Sequence, residues 1–164
     1  MLSMIVEAFP GVKLIGCTTD SEMSSTMGFT EDSITLTLFS SDQIEFAATI
    51  ATDISQNRET VFHDAFRDCS SQITRAPACG LIFPDGLTTI GILLDKVIRD
   101  SFGELLPFLG GTAGDHYLLK QTYQFFGTEV YSDAVPILLF AENLSLISDS
   151  RSSLNRINSG NSEF

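Results

Sequence analysis

Seven consecutive residues, Gly110-Gly111-Thr112-Ala113-Gly114-Asp115-His116, set three glycines beside a hydroxyl, a carboxylate and an imidazole. A turn needs one or two glycines. Three in five positions predict backbone that passes close to something or adopts positive φ more than once. Such a segment can aim several N–H groups into one concavity, which suits a carboxylate or a phosphate. The plainer alternative is a tight turn between strands with no ligand. A second stretch, Gly16-Cys17-Thr18-Thr19-Asp20-Ser21-Glu22, repeats the plan: a glycine closing an apolar run, then hydroxyls, then carboxylates. If the strands feeding the two stretches are neighbours, Thr18, Thr19 and Glu22 face Thr112 and Asp115 across one pocket. Hydroxyls and backbone amides would take a ligand carboxylate there, and Asp115 or Glu22 would hold an ammonium. On the plainer alternative, Thr18 and Thr19 open a capped turn and the acids are solvated.

The same residues offer a nucleophile and a base. Cys17 would attack, with His116 as base and Asp115 to orient it. Two features argue against that chemistry. A cysteine at the end of a buried strand beside carboxylates has its thiol pKa raised and is inert. Asp115 and His116 are also adjacent in the chain, so their side chains diverge. Neither stretch contains a nucleophile elbow or a phosphate-binding lysine; Lys120 is the nearest cation to the second. The reading is a binding site, not an enzyme.

The elements that must position these residues follow from periodicity. Leu2, Ile5, Val6 and Phe9 share one helical face that Pro10-Gly11 ends. Val12 to Cys17 reads as a buried strand and Thr18 to Thr30 as a polar loop. The clearest hairpin places Ile34, Leu36 and Leu38 in alternation with threonines, turns at Ser40-Ser41-Asp42, and resumes alternation at Ile44, Phe46, Ala48 and Ile50. Asn57 is a candidate cap for a helix reaching about Arg75, with Phe62, Ala65, Phe66, Cys69 and Ile73 inward and His63 and Asp64 on the surface. Ala78 to Phe83 is a short apolar strand ending in the turn signal Pro84-Asp85-Gly86. Ile90, Leu93, Leu94, Val97 and Ile98 form the stripe of a second helix, with Gly103 where a C-terminal glycine belongs. Strands follow at Leu105–Leu109, Thr122–Gly127 and Ala134–Phe140. From Glu142 the chain turns Ser/Asn-rich and aperiodic, which predicts a disordered polar tail over 143–164.

This order predicts an α/β (or α+β) domain over residues 1–142, with a mixed sheet containing an antiparallel hairpin and at least two packed helices. A first strand before the opening helix would be normal in an α/β unit, so the fold reads as incomplete at both ends. The length of 164 residues fits one domain with a sizeable core, and thirteen Phe with no Trp predict a core built on phenylalanine. A net charge of −12 leaves little to neutralise a phosphate backbone, which excludes nucleic acid and disfavours anionic membranes. Three widely spaced cysteines and two histidines, His63 and His116, predict reduced thiols in the cytoplasm and neither a metal centre nor a cofactor. No apolar run approaches the roughly 18 residues of a membrane helix.

Four segments in order, Gly16 to Glu22, Phe83-Pro84-Asp85-Gly86-Leu87, Gly110 to His116 and Thr122-Tyr123-Gln124-Phe125, resemble the N-terminal part of the FIST domain (F-box and intracellular signal transduction proteins). The similarity runs from about Val6 to Phe140. Ser21 stands where the family often carries glycine, and the family's opening strand is missing. The resemblance implies a sensory domain that binds small ligands such as amino acids and stands beside a signalling output module. The candidate ligand-binding residues are therefore Cys17, Thr18, Thr19, Glu22, Gly110, Gly111, Thr112, Ala113, Gly114, Asp115 and His116. The alternative is a protein-interaction or signal-relay module without its own ligand, compatible with a mean hydropathy of +0.18.

Overall fold

The computed structural model describes residues 1–88, 91–103 and 106–142. The expected tail, Ile90 and Leu105 lie outside the described residues. At the centre is β9 (Ala134–Ala141), whose eight residues are all buried. It pairs antiparallel with β4 (Glu45–Thr52) on one side and with β5 (Pro77–Ile82) on the other. Beyond β5, the short β6 (Phe108–Gly110) runs parallel to it, so the four-stranded sheet is mixed, in the order β4-β9-β5-β6. The parallel pair is joined through α3 (Gly91–Phe102), as a crossover demands. Gly103 ends that helix at φ +98, donating its N–H to Arg99 O at 2.8 Å.

One face of this sheet meets α2 (Ile54–Ser71) and α3. Ala47, Ala51, Val135, Ile137 and Leu139 lie on it, against Phe62, Ala65 and Cys69 of α2 and Ile98 and Phe102 of α3. The expected phenylalanine core is met in part: Phe62 and Phe102 are buried among alanines and branched aliphatics, and Phe66, Phe102 and Phe108 form a chain of edge-on rings at 5.1 and 5.3 Å. Burying a side chain such as Phe62, 0% exposed, contributes roughly 1.5–3 kcal/mol. His63 and Asp64 lie on the exposed side of α2. The opposite sheet face, with Ala48, Leu138 and Phe140, is covered by a smaller antiparallel sheet of β1 (Ile15–Cys17), β7 (Gln124–Phe126) and β8 (Glu129–Tyr131), in the order β1-β7-β8. The helix α1 (Leu2–Ala8) precedes it.

The hairpin expected over 34–50 does not form. Only its second arm is a strand, β4, and its pairing partner is β9, with Ala48 opposite Leu138. Residues 33–43 have no strand structure, and Ile34, Leu36 and Leu38 are half or more exposed. Alternation shows that a segment is compatible with a strand, not what it pairs with. The outer edge of β4 is instead held by side chains. Gln72 donates Nε2 to Ala48 O at 2.9 Å and accepts the Ala48 N–H at 3.2 Å, as a neighbouring peptide group would. Lys13 Nζ donates to Phe46 O at 2.6 Å.

Further boundaries move for local reasons. The helix starts at Ile54 and breaks at Asn57 (φ −137), so Asn57 is a joint and not the cap. The cap comes from Asp133, which accepts the Ser55 N–H at 3.1 Å and its hydroxyl at 2.6 Å. The helix ends at Ser71 instead of Arg75, where Gln72 turns to β4. Within the expected loop 18–30 lies a small hairpin of β2 (Glu22–Ser24) and β3 (Gly28–Thr30). The strands expected at 12–17 and 122–127 shrink to the three-residue β1 and β7.

Candidate functional site

The two stretches with chemical potential leave different sheets: β1 belongs to the small sheet and β6 to the large one. Their strands are not neighbours, yet the stretches meet. Gly114 N–H donates to Thr18 O at 3.0 Å, and His116 N–H donates to Asp20 Oδ1 at 2.8 Å. Thr18 is tied in turn to the start of β7. Its N–H donates to Tyr123 O at 2.9 Å, and its hydroxyl accepts the Tyr123 N–H at 3.1 Å.

The glycines serve this packing. A Cβ on Gly110, which sits at φ +146, would fall 1.9 Å from Ile82 O. A Cβ on Gly114 would fall 2.4 Å from Asp20 Oδ1. The close approach predicted from three glycines is real at these two positions, and it is to the protein's own chain. Gly111 has nothing within 4 Å.

The N–H groups that gather on an anion belong to the residues after the glycine-rich stretch, and the anion is the chain's own Asp115. His116, Tyr117 and Leu119 all have positive φ, and the N–H groups that follow turn onto Asp115. Its oxygens accept from Lys120 at 2.6 Å, Leu119 at 3.0 Å and Gln121 at 3.2 Å. These donors, that of Lys120 foremost, hold its carboxyl below the usual range. The Asp115 oxygens are engaged with backbone, and among the described residues no hydrogen bond joins them to the His116 ring.

A cavity of about 490 Å³ opens where the stretches converge. Cys17, Thr18, Thr19 and Glu22 line it from one stretch, and Gly114, Asp115 and His116 from the other. Residues 33–36, Gln121, Tyr123 and Phe125 continue the wall, and Met1, Ile5, Leu14 and Ile15 give it an apolar side. Gly110, Gly111, Thr112 and Ala113 do not line it. Gly110 belongs to β6, Thr112 is exposed, and Ala113 is buried with its N–H on Pro84 O at 2.8 Å. Glu22 accepts the hydroxyls of Thr19 and Ser33, the latter at 2.8 Å. These bonds lower its pKa and keep it a carboxylate at neutral pH. Burial pushes the Cys17 thiol up to about 11, so it is protonated there and a poor nucleophile.

Asp85 is the residue whose importance the sequence concealed. It reads as the middle of a turn, yet it is 3% exposed. Oδ1 accepts Leu87 N–H at 2.8 Å and Thr88 N–H at 3.1 Å, while Oδ2 accepts Asp133 N–H at 2.9 Å. Burial alone would raise its pKa. Those N–H groups and the Thr122 hydroxyl outweigh burial and lower it. The four motif segments thus form one hydrogen-bonded knot: Ala113 to Pro84, Gly114 to Thr18, Thr18 to Tyr123, and Thr122 to Asp85.

That knot gathers the segments in which the FIST resemblance resides, and the model of the FIST N domain matches residues 1–159. The chain belongs to the FIST N domain family. No curated protein sequence matches it. FIST N is a family of sensory domains in signal transduction. In this FIST N domain, Asp20, Asp85 and Ser33 join the expected residues as supports. Asp20 and Asp85 lay inside recognisable motifs; Ser33 carried no signal. Among the described residues, no group of three or more His, Cys, Asp or Glu side chains could hold a metal ion, and no helix is long and apolar enough to cross a membrane.

Proposed function

We propose that residues 1–142 form a sensory module that binds a small ligand, such as an amino acid, in the cavity between the two stretches. The observation that carries the reading is the convergence of Thr18, Thr19, Glu22, Gly114 and His116 on one 490 Å³ space, a volume suited to a small molecule. Glu22 supplies a carboxylate for an ammonium, and Thr18 and Thr19 supply hydroxyls. The module binds without turning its ligand over, which the protonated Cys17 supports. The three free cysteines fit a cytoplasmic setting. The partner is a signalling output module, while the charge of −12 argues against nucleic acid.

A thermal-shift series against amino acids and small carboxylates tests the proposal. A binder raises Tm with the logarithm of its concentration. A folded protein that no member of the series stabilises would overturn it.

One observation favours the alternative of a relay surface without a ligand. Tyr117, Leu118 and Leu119 are 84%, 61% and 76% exposed on one strained loop, a patch fit for a protein partner.

A further inference from the structure

The 490 Å³ cavity does not end at its polar wall. A second cavity, of about 500 Å³, adjoins it between α1, residues 35–39 and the four-stranded sheet. Ile5, Leu14, Ile15, Cys17, Thr19, Thr35 and Leu36 line both and so mark the junction. Both have an apolar side, with Ile5, Leu14 and Ile15 common to the two, and they differ at their far ends. The first holds the carboxylates of Glu22 and Asp115, and among the described residues its lining contains no lysine or arginine. The far wall of the second is apolar, made of Phe46, Leu81, Phe83 and Leu138. Its lysine, Lys13, has its ammonium bonded to Phe46 O and Gln72 Oε1 at 2.6 and 2.8 Å. Asp115 is engaged by three backbone N–H groups, whereas each Glu22 oxygen accepts one hydroxyl, from Thr19 and Ser33, and keeps a further lone pair for a ligand's charge.

We propose that the ligand is amphipathic, with an ammonium head at Glu22 and an apolar chain or aromatic ring lodged against Phe46, Leu81, Phe83 and Leu138. The inference rests on the ligand-binding reading above and narrows it. Glycine or serine would fill the polar half alone, whereas leucine, phenylalanine or an alkylamine would occupy both. A carboxylate without an ammonium would meet Glu22 as a like charge.

Calorimetric titration of the full chain with n-alkylamines from propylamine to decylamine, the matching alcohols and carboxylates, and the amino acids glycine, serine, leucine and phenylalanine separates the outcomes. We expect a 1:1 complex whose affinity rises about fourfold per methylene. Leucine and phenylalanine should bind more than tenfold tighter than glycine. Glu22→Gln should weaken amines about tenfold and leave alcohols of equal length unchanged. Leu36→Trp, made at a half-exposed position to narrow the junction, should remove the chain-length dependence while propylamine still binds. Glycine and serine binding as tightly as the longer ligands would overturn this inference and leave the ligand-binding reading standing. Carboxylates binding as well as amines, unaffected by Glu22→Gln, would overturn the head-group assignment. A folded protein that binds no member of any series would overturn the ligand-binding reading itself, and this inference with it.

Discussion

Gly114 and Asp20 sit so close that a Cβ on the glycine would stand 2.4 Å from Asp20 Oδ1 and 2.9 Å from its backbone N. The same Asp20 oxygen accepts the His116 N–H, so this contact sets how the two stretches wall the cavity. Gly114→Ala must move one stretch against the other. A loss of ~1–3 kcal/mol is expected, seen as a fall of several degrees in Tm, together with weakened ligand binding. Gly111→Ala, where nothing lies within 4 Å, should stay within about 0.5 kcal/mol of the parent. Equal effects at the two glycines would contradict this packing.

Asp85→Asn replaces a buried acceptor of several N–H groups with a side chain that is half donor. One amide hydrogen pair must then confront the N–H of Leu87, Thr88 or Asp133. A destabilisation of about 1–3 kcal/mol is expected in urea unfolding. An unchanged midpoint would show that the knot does not depend on this carboxylate.

Acid sensitivity follows from the same residue. The folded pKa of Asp85 lies below its ordinary value of 3.8, so as pH falls the unfolded chain takes up the proton first. The stabilisation is complete above roughly pH 5 and is lost as pH falls through the folded pKa, below 3.8. Asp115 and Glu22, also lowered, act in the same direction. Stability measured from pH 7 down to pH 2 should decline mainly below pH 4, and more gently in Asp85→Asn. An identical acid limb in the variant would contradict the assignment.

The thiols report on burial. Cys17 stands at about 11 and Cys69 at about 12, against an ordinary 9.0. A shift from 9 to 11 makes the native thiolate about a hundredfold scarcer at a given pH. Labelling with a disulfide reagent at pH 8 should therefore be slow in the native protein and rapid in urea, with Cys17 ahead of Cys69. Ligand in the first cavity, which Cys17 lines, should slow it further. Native labelling as fast as in urea would refute the burial of this residue.

Gln72→Ala should remove the two bonds that occupy the outer edge of β4 at Ala48. A loss on the order of 1 kcal/mol is expected. The freed edge should also raise the apparent mass in gel filtration as concentration rises. No change in either measurement would show that the edge is protected by other means.

The cores of α2 and α3, the strand β5 and the strand β9 were legible because each is a local pattern. Phe62, Ala65 and Cys69 recur at helical spacing, and Ala134 to Phe140 is one unbroken apolar run. Gly103 marked a helix end because only the local backbone decides positive φ there. The hairpin over 34–50 failed for a complementary reason: alternation at Ile34, Leu36 and Leu38 states which side chains agree, not which strand receives them. β9 takes one edge of β4, and at the other edge Gln72 and Lys13 bond Ala48 and Phe46 where the threonine-rich arm would have to pair. Tails of elements moved where a distant side chain took over, as Asp133 did at the start of α2 and Gln72 at its end.

The sequence by itself determined the family, the mixed α/β class and the residue types of the proposed site: glycines, hydroxyls and carboxylates at the ends of two strands. It pointed to close approach at the glycines, which holds at Gly110 and Gly114, while the N–H groups gathered on an anion are those of Leu119, Lys120 and Gln121, beyond the glycine-rich stretch. Only the tertiary structure decided what those partners were. Asp20 reaches the backbone of His116 across 96 positions, and Asp85 reaches that of Asp133 across 48. Asp115, an acid of the motif itself, fills the cradle beside it. Contacts of that length depend on how two sheets stack, and stacking is set by the whole apolar pattern at once. No single segment encodes it.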